Sequence, residues 1–207
     1  LEKAMAGSYN QCFAQLAVHA LGADATVAAF ERFGWSTSPA FGHEAGTIER
    51  GEGDYGLGKL GSGLALTRIT ALHAAQLVAS LDTGEFIEPW WIDRVVDEAG
   101  QSLVLPERAA RRRVMRQSTA DELRTILVRT TKHGTARRAF RTRRGYRLGD
   151  VAVAGKTGNL SGRNPRARYE WFAGVAPASD PRIAVAVVQA HGHLWWRTSA
   201  QIAADVF

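Results

Sequence analysis

Cysteine is nearly absent: Cys12 stands alone among 207 residues, so no internal disulfide holds the chain, and one thiol assigns no redox compartment. Long apolar runs are missing too. No uninterrupted stretch approaches the ~18 residues of a membrane span, so no spanning segment is expected, and Leu1-Glu2-Lys3 does not open a signal peptide. Leu1 also stands where a translated chain carries Met, so a fragment of a longer protein is expected. Acidic residues are the minority, 20 against 26 Lys and Arg, for a net charge of +6. Between Arg108 and Arg147 the imbalance is sharpest, with 13 Arg and Lys132 against only Asp121 and Glu122. Such a run could track a phosphate backbone. However, only Phe140 and Tyr146 are interleaved with it as stacking platforms, and no nucleic-acid motif accompanies it. A solvated surface, facing an anionic polymer or membrane headgroups, is the plainer reading, and no nucleic acid is expected as a partner.

What is present is an ordinary globular composition, 45% apolar and 22% charged, long enough to bury a core without metal or disulfide. Phe13, Leu16, Ala17, Ala20 and Leu21 form a helical stripe behind Ser8-Tyr9-Asn10, with Ser8 or Asn10 suited to the N-cap and Gly22 as its end. Ala25 to Phe33 gives a second apolar-periodic segment closed by Gly34. From Ser36 to Gly63 eight glycines predict a loop. Thr67 to Leu81 predicts a helix, Ile92 to Val96 a short strand, and Ser118-Thr119-Ala120-Asp121 the cap of a helix ended by Gly134. Val151 to Ala154, Trp171 to Val175 and Ile183 to Gln189 read as strands, separated by turns such as Asn164-Pro165 and Asp180-Pro181. The run Ile183 to Val188 is continuous rather than alternating, so helices are expected on both its faces. Thr198 to Phe207 closes the chain as a helix.

The chemistry starts at Lys156-Thr157-Gly158, which follows the Val151 to Ala154 strand and Gly155. An ammonium, a hydroxyl and a glycine at a strand form an anion clamp: Lys supplies charge, Thr a hydrogen bond to a carboxylate, and Gly close approach of a substrate backbone. Far upstream, Ser8-Tyr9-Asn10 opens a helix; taken alone, this pair reads as helix capping. Together the two motifs resemble those of serine acyl-transferases that open β-lactams. The match extends along most of the chain. Ser8 to Ala17 resembles the S-x-N motif and its helix, and Gly61-Ser62-Gly63 through Thr67 to Ala75 resembles the helix after the glycine-rich segment. Thr83 to Pro89, His133-Gly134-Thr135-Ala136, Gly155 to Gly158, Trp171 to Pro177 and Asp180 to Val185 follow in order. The chain therefore resembles the C-terminal part of the transpeptidase domain of penicillin-binding proteins.

The resemblance implies an α/β fold of the α+β type: a mainly helical region over 1–147 and, over 148–207, antiparallel strands with a C-terminal helix, the cleft lying between Ser8-Asn10 and Lys156-Gly158. It implies that Ser8 and Lys156 belong to the proton-transfer network and that Asn10 holds the acyl amide of a peptide stem. Thr157 would bind the terminal carboxylate of D-Ala-D-Ala or of a β-lactam, beside Gly158. The backbone N–H of Asn159, where the family usually has Thr or Ser, would be one of two oxyanion donors. The parent is expected to be a D,D-transpeptidase of peptidoglycan cross-linking on the extracytoplasmic side of the membrane, with stem peptides and β-lactams as ligands, cell-envelope proteins as further partners and no metal or cofactor. One feature is missing: none of the ten serines has Lys three residues on, so the S-x-x-K nucleophile is absent. The isolated chain is expected not to form an acyl-enzyme. The alternative is a catalytically dead module or β-lactam sensor.

Other patterns carry less. Gly53 to Leu60 fits G-x-x-x-x-G-K but has Leu60 where a P-loop needs Ser or Thr, and Gly56 to Gly61 fits G-x-G-x-x-G with no strand before it. His191-Gly192-His193 could offer two imidazoles to a metal but lacks a third ligand, and reads as a solvated strand end. Trp90-Trp91 and Trp195-Trp196 could stack on sugar rings but read first as packing or rim residues. Cys12 reads as core or near-core.

Overall fold

Alanine and glycine set the spacing of the N-terminal helices. The computed structural model describes residues 1–105, 107–163, 165–191 and 196–207. Helix α1 (Glu2–Gly7) is followed by α2 (Asn10–Gln15), a π-helical stretch (Leu16–Leu21) and α3 (Gly22–Arg32). Gly22, at φ 75°, marks a joint in this run rather than its end, because a residue without Cβ takes the left-handed backbone that lets the next helix start at once. The glycine-rich segment is only partly loop. Glycines at 53, 56, 58 and 61 sit in α4 (Gly53–Gly61), which packs on the preceding helices. A Cβ on Gly58 would lie 3.3 Å from Ala14 Cβ, and one on Gly61 would lie 2.3 Å from Ala17 Cβ. The glycines are therefore there for close helix approach, and tertiary packing overrides their low helix propensity.

This run bears on the expectation about membrane spans without overturning it. Asn10–Arg32 forms 23 residues of helix that are long and apolar enough, by length and composition alone, to cross a membrane. Unbroken apolar runs do not reveal it because its apolar content is largely alanine interrupted by single polar residues. Most of the helix is exposed, Cys12 included, so the core placement expected for Cys12 does not hold.

Strands β1 (Thr47–Ile48) and β2 (Thr67–Arg68) pair antiparallel ahead of α5 (Ala71–Ala79), whose N-cap Thr70 accepts from the His73 amide. The helix expected from Thr67 thus starts later, at its capping threonine. Strands β3 (Glu85–Phe86) and β4 (Arg112–Arg113) also pair, whereas the strand expected at Ile92 to Val96 reduces to one bridge, Val96 to Ser102. Helix α6 (Gln117–Lys132) has Arg116 at its N-cap and no side-chain cap bond, so Ser118 lies inside the first turn. The short hairpin β5 (Arg141–Thr142) and β6 (Gly145–Tyr146) precedes the main sheet.

That sheet has strands β7 (Ala154–Arg163), β8 (Arg166–Ala176) and β9 (Ile183–His191), antiparallel in the order β7-β8-β9, followed by α7 (Ser199–Val206) with its Thr198-Gln201 capping box. Val151 to Val153 precede β7 rather than forming it, so Lys156 to Gly158 lie within a long strand. The Asn164 of the expected Asn164-Pro165 turn lies outside the described residues, as do Gly192, His193 and Trp195. Phe172, Phe140 and Val153 pack on one sheet face with Ala200, Ala203 and Ala204 of α7; Ala154 and Val175 pack on the other with Val78 of α5, Leu81 just after it and Leu127 of α6. Strand β9 touches both sides, through Val185 and Val187 on the α7 side and Ala184 on the other. Helices on both faces of Ile183 to Val188 are therefore observed, although Ile183 and Val188 stay exposed at the edge.

Candidate functional site

Strand alternation decides where the Lys156-Thr157-Gly158 side chains go. Residues directly opposite on an antiparallel pair share a face: Ala154 pairs with Val175, Lys156 with Ala173 and Thr157 with Phe172. Lys156 therefore lies on the face packed against α5 and α6, and Thr157 on the α7 face with Phe172. Gly155 leaves room for that ring, since a Cβ there would lie 2.4 Å from Phe172 Cζ.

Ser8 reaches Lys156 from the other end of the chain. It follows α1 in the left-handed backbone region, φ 54° and ψ 50°, with its N–H donating to Met5 O at 3.3 Å. A non-glycine residue in that region carries backbone strain. Tyr9, not Ser8 or Asn10, is the N-cap of α2, and no side chain caps that helix. The capping account of Ser8 fails, because its hydroxyl instead accepts a hydrogen bond from Lys156 Nζ across 148 positions of sequence. Lys156 Nζ also donates to Thr157 O at 2.9 Å. Burial holds the Lys156 ammonium below its usual value, since desolvation disfavours the charged form. Among the described residues no carboxylate pairs with it.

Thr135 supplies a contact that motif reading did not assign. Its Oγ1 lies 2.5 Å from Thr157 Oγ1, either hydroxyl being able to donate, and its N–H donates to Ala6 O at 3.1 Å. The turn after α6 thereby ties α1, the element that presents Ser8, to β7. Gly134 makes this possible: a Cβ there would lie 2.2 Å from Ala6 O and 2.9 Å from Thr130 Cα. The only signal in sequence was the His133-Gly134-Thr135-Ala136 match itself.

The remaining expected site residues lie around this centre. Asn10 is exposed at the start of α2 and lines a groove of about 200 Å³ against α4, beside Ala14, Tyr55 and Leu64. Gly158 continues β7 opposite Trp171, whose Cβ would lie 3.2 Å from a Cβ at 158. Asn159 is exposed, and its Oδ1 accepts from Arg168 Nε at 2.8 Å. The Gly53 to Leu60 segment forms α4 rather than a phosphate-cradling loop. His191 bonds Glu170 at 3.2 Å, its expected companion His193 lies outside the described residues, and among the described residues no cluster of metal-ligating side chains forms. Trp90 donates to Ile92 O, and Trp91 stands edge-on to His43 at 5.2 Å, both consistent with packing and rim positions. Trp196 is almost fully exposed.

The model of one protein family, the penicillin binding protein transpeptidase domain, matches residues 1–207. Among solved structures, the D,D-transpeptidase domain of a peptidoglycan glycosyltransferase from Eggerthella lenta is 25% identical at a TM-score of 0.72, over 91% of this chain and 48% of that one. An imipenem acyl-enzyme complex of penicillin-binding protein A from M. tuberculosis is 23% identical at a TM-score of 0.78, over 100% of this chain and 47% of that one. Penicillin binding protein 3 from Mycobacterium tuberculosis, complexed with aztreonam, is 20% identical at a TM-score of 0.79, over 99% of this chain and 49% of that one. The chain thus spans about half the length of these structures. No match is found among curated proteins.

Proposed function

Because the chain belongs to the penicillin-binding protein transpeptidase family, we propose that it supplies substrate-binding and proton-transfer groups to a serine D,D-transpeptidase that cross-links peptidoglycan on D-Ala-D-Ala stem peptides. The observation that carries this reading is the Lys156 to Ser8 hydrogen bond, formed between the two motifs at opposite ends of the chain. A lysine whose proton affinity is lowered by burial offers more neutral amine near neutral pH, the state that accepts a proton. Lys156 and Ser8 then relay the proton between the attacking hydroxyl and the departing amine. Thr157, oriented by Thr135, binds the terminal carboxylate of the stem, and Asn10 holds the acyl amide. The Asn159 N–H serves as an oxyanion donor; β7 is a sheet edge, and every second amide of an edge strand points away from its partner. Gly158 lets the substrate backbone lie against that edge. The helical region, residues 1–147, and the sheet region, residues 148–207, act as the two walls of the cleft.

The nucleophile is not among the ten serines as an S-x-x-K motif, so acylation belongs to the intact transpeptidase and the 207-residue chain by itself binds without acylating. An extracytoplasmic location, where the peptidoglycan substrate is, and β-lactams as competing ligands follow from the same reading. Titration with an N-acyl-D-Ala-D-Ala peptide, followed by amide NMR, tests it. Shifts confined to Ser8, Asn10, Thr157, Gly158, Asn159 and their neighbours, and abolished in Thr157→Val, support it. Binding elsewhere, or binding unchanged in Thr157→Val, would refute it.

A further inference from the structure

The transpeptidase reading leaves the basic run unused. Nine Lys and Arg residues lie between Glu122 and Asp150 with no acidic residue among them, and the last seven are Lys132, Arg137, Arg138, Arg141, Arg143, Arg144 and Arg147. The fold places these seven at the C-terminal end of α6, in the turn that follows it and on or just after the β5-β6 hairpin, all exposed. Arg147 is paired with Asp205; among the described residues the other six meet no carboxylate. The carboxylates that flank the region are occupied, Glu2 by Arg129 and Asp205 by Arg147 and Arg197. Lys132 sits in the last turn of α6 with His133 at its C-cap, where cations also offset the partial negative charge of the helix end. That account does not reach Arg141, Arg143 or Arg144, which stand on the hairpin.

A cavity of about 200 Å³ separates helix end from hairpin, lined by Thr131, Lys132, His133, Arg141, Gly145 and Tyr146. Its interior surface is mostly apolar, so Lys132 and Arg141 offer their charges at its rim, and Arg143 and Arg144 continue the cationic track over the hairpin. We propose that this surface binds a linear polyanion through its phosphates, one phosphate held at the cavity rim by Lys132 and Arg141 and its neighbours running over the hairpin tip. Guanidinium groups suit phosphate because their forked donors match two oxygens at once. A nucleic acid fits less well, since the aromatics of the region are not free for stacking: Phe140 is fully buried, and Tyr146 lies parallel to it at 5.9 Å. A bilayer also fits less well, since the hairpin tip offers no apolar side chain for insertion.

The probe is inorganic polyphosphate, added to the 207-residue chain and followed by calorimetry at several salt concentrations. With four phosphates neutralised by Lys132, Arg141, Arg143 and Arg144, affinity should fall about 50-fold between ~50 mM and ~200 mM salt, taking a slope of ~0.7 per contact. Arg143→Ser with Arg144→Ser should halve that slope, leaving a fall of about 7-fold. Both positions are exposed, so melting should not change; Lys132→Gln, which removes a charge from the cavity rim, provides an independent loss of affinity. The proposal is overturned by no binding at the lowest salt, by unaltered affinity in these variants, or by tighter binding of oligo(dT), polyglutamate or anionic phospholipid vesicles than of polyphosphate.

Discussion

Gly134→Ala tests whether the site is held together as described. The new Cβ would start 2.2 Å from Ala6 O and 2.9 Å from Thr130 Cα, so α1 and α6 block it from two sides. Reaching an ordinary contact with the carbonyl requires a shift of about 1 Å. That shift strains or breaks the Thr135 N–H to Ala6 O bond, now 3.1 Å, a loss of about 1 kcal/mol. Overpacking at a close backbone contact adds about 1–3 kcal/mol, for a total near 2–4 kcal/mol. For a chain of this size this lowers the melting temperature by roughly 5–15 °C. Because Ala6 lies two residues before Ser8, the same shift moves Ser8 away from Lys156, and affinity for the D-Ala-D-Ala peptide should fall with stability. Gly58→Ala is the control: its Cβ meets Ala14 Cβ at 3.3 Å, inside a helix and without positive φ, so the gain in helix propensity roughly offsets the tight contact. Differential scanning calorimetry of both variants decides the matter. Gly134→Ala melting within about 2 °C of the parent would refute the packing argument.

Phe172→Ala removes a fully buried ring shared by Phe140, Val153 and the α7 alanines, and should cost about 3–5 kcal/mol in urea unfolding. His73 is fully buried, its Nε2 bonds Phe33 O at 2.8 Å, and burial lowers its pKa below 6.5. A neutral buried imidazole means that the unfolded state takes up the proton first, so stability is full above pH 6.5 and falls as pH drops from there through the folded value. Urea midpoints measured from pH 8 downward should show this fall, and His73→Gln should flatten it. Lys156, lowered by burial, should titrate below 10.5 in the 13Cε NMR spectrum; a value at or above that figure would mean that its ammonium is solvated.

The end of the chain was readable because its signals are local. Thr198 and Gln201 form the predicted helix start as a capping box, and the apolar run at Ile183 does lie between helices. The glycine-rich segment misled because small residues have two uses: they break helices in isolation, yet at Gly58 and Gly61 they let α4 approach Ala14 and Ala17. Such a use depends on a partner helix that no local pattern reveals. Lys156-Thr157-Gly158 and Ser8 were legible as motifs, and the fold brings Lys156 and Ser8 together. Asn10 was legible too, but it opens onto the α4 groove. The Thr135 to Thr157 contact was not legible, because a bond between hydroxyls 22 positions apart leaves no periodic trace.

The central claim is that these residues hold the binding and proton-transfer side of a transpeptidase site without its acyl-accepting serine. Intact-mass spectrometry of the 207-residue chain after incubation with benzylpenicillin tests it most directly. The account predicts an unchanged mass; a stoichiometric penicilloyl adduct on Ser8 or on any other serine would contradict it.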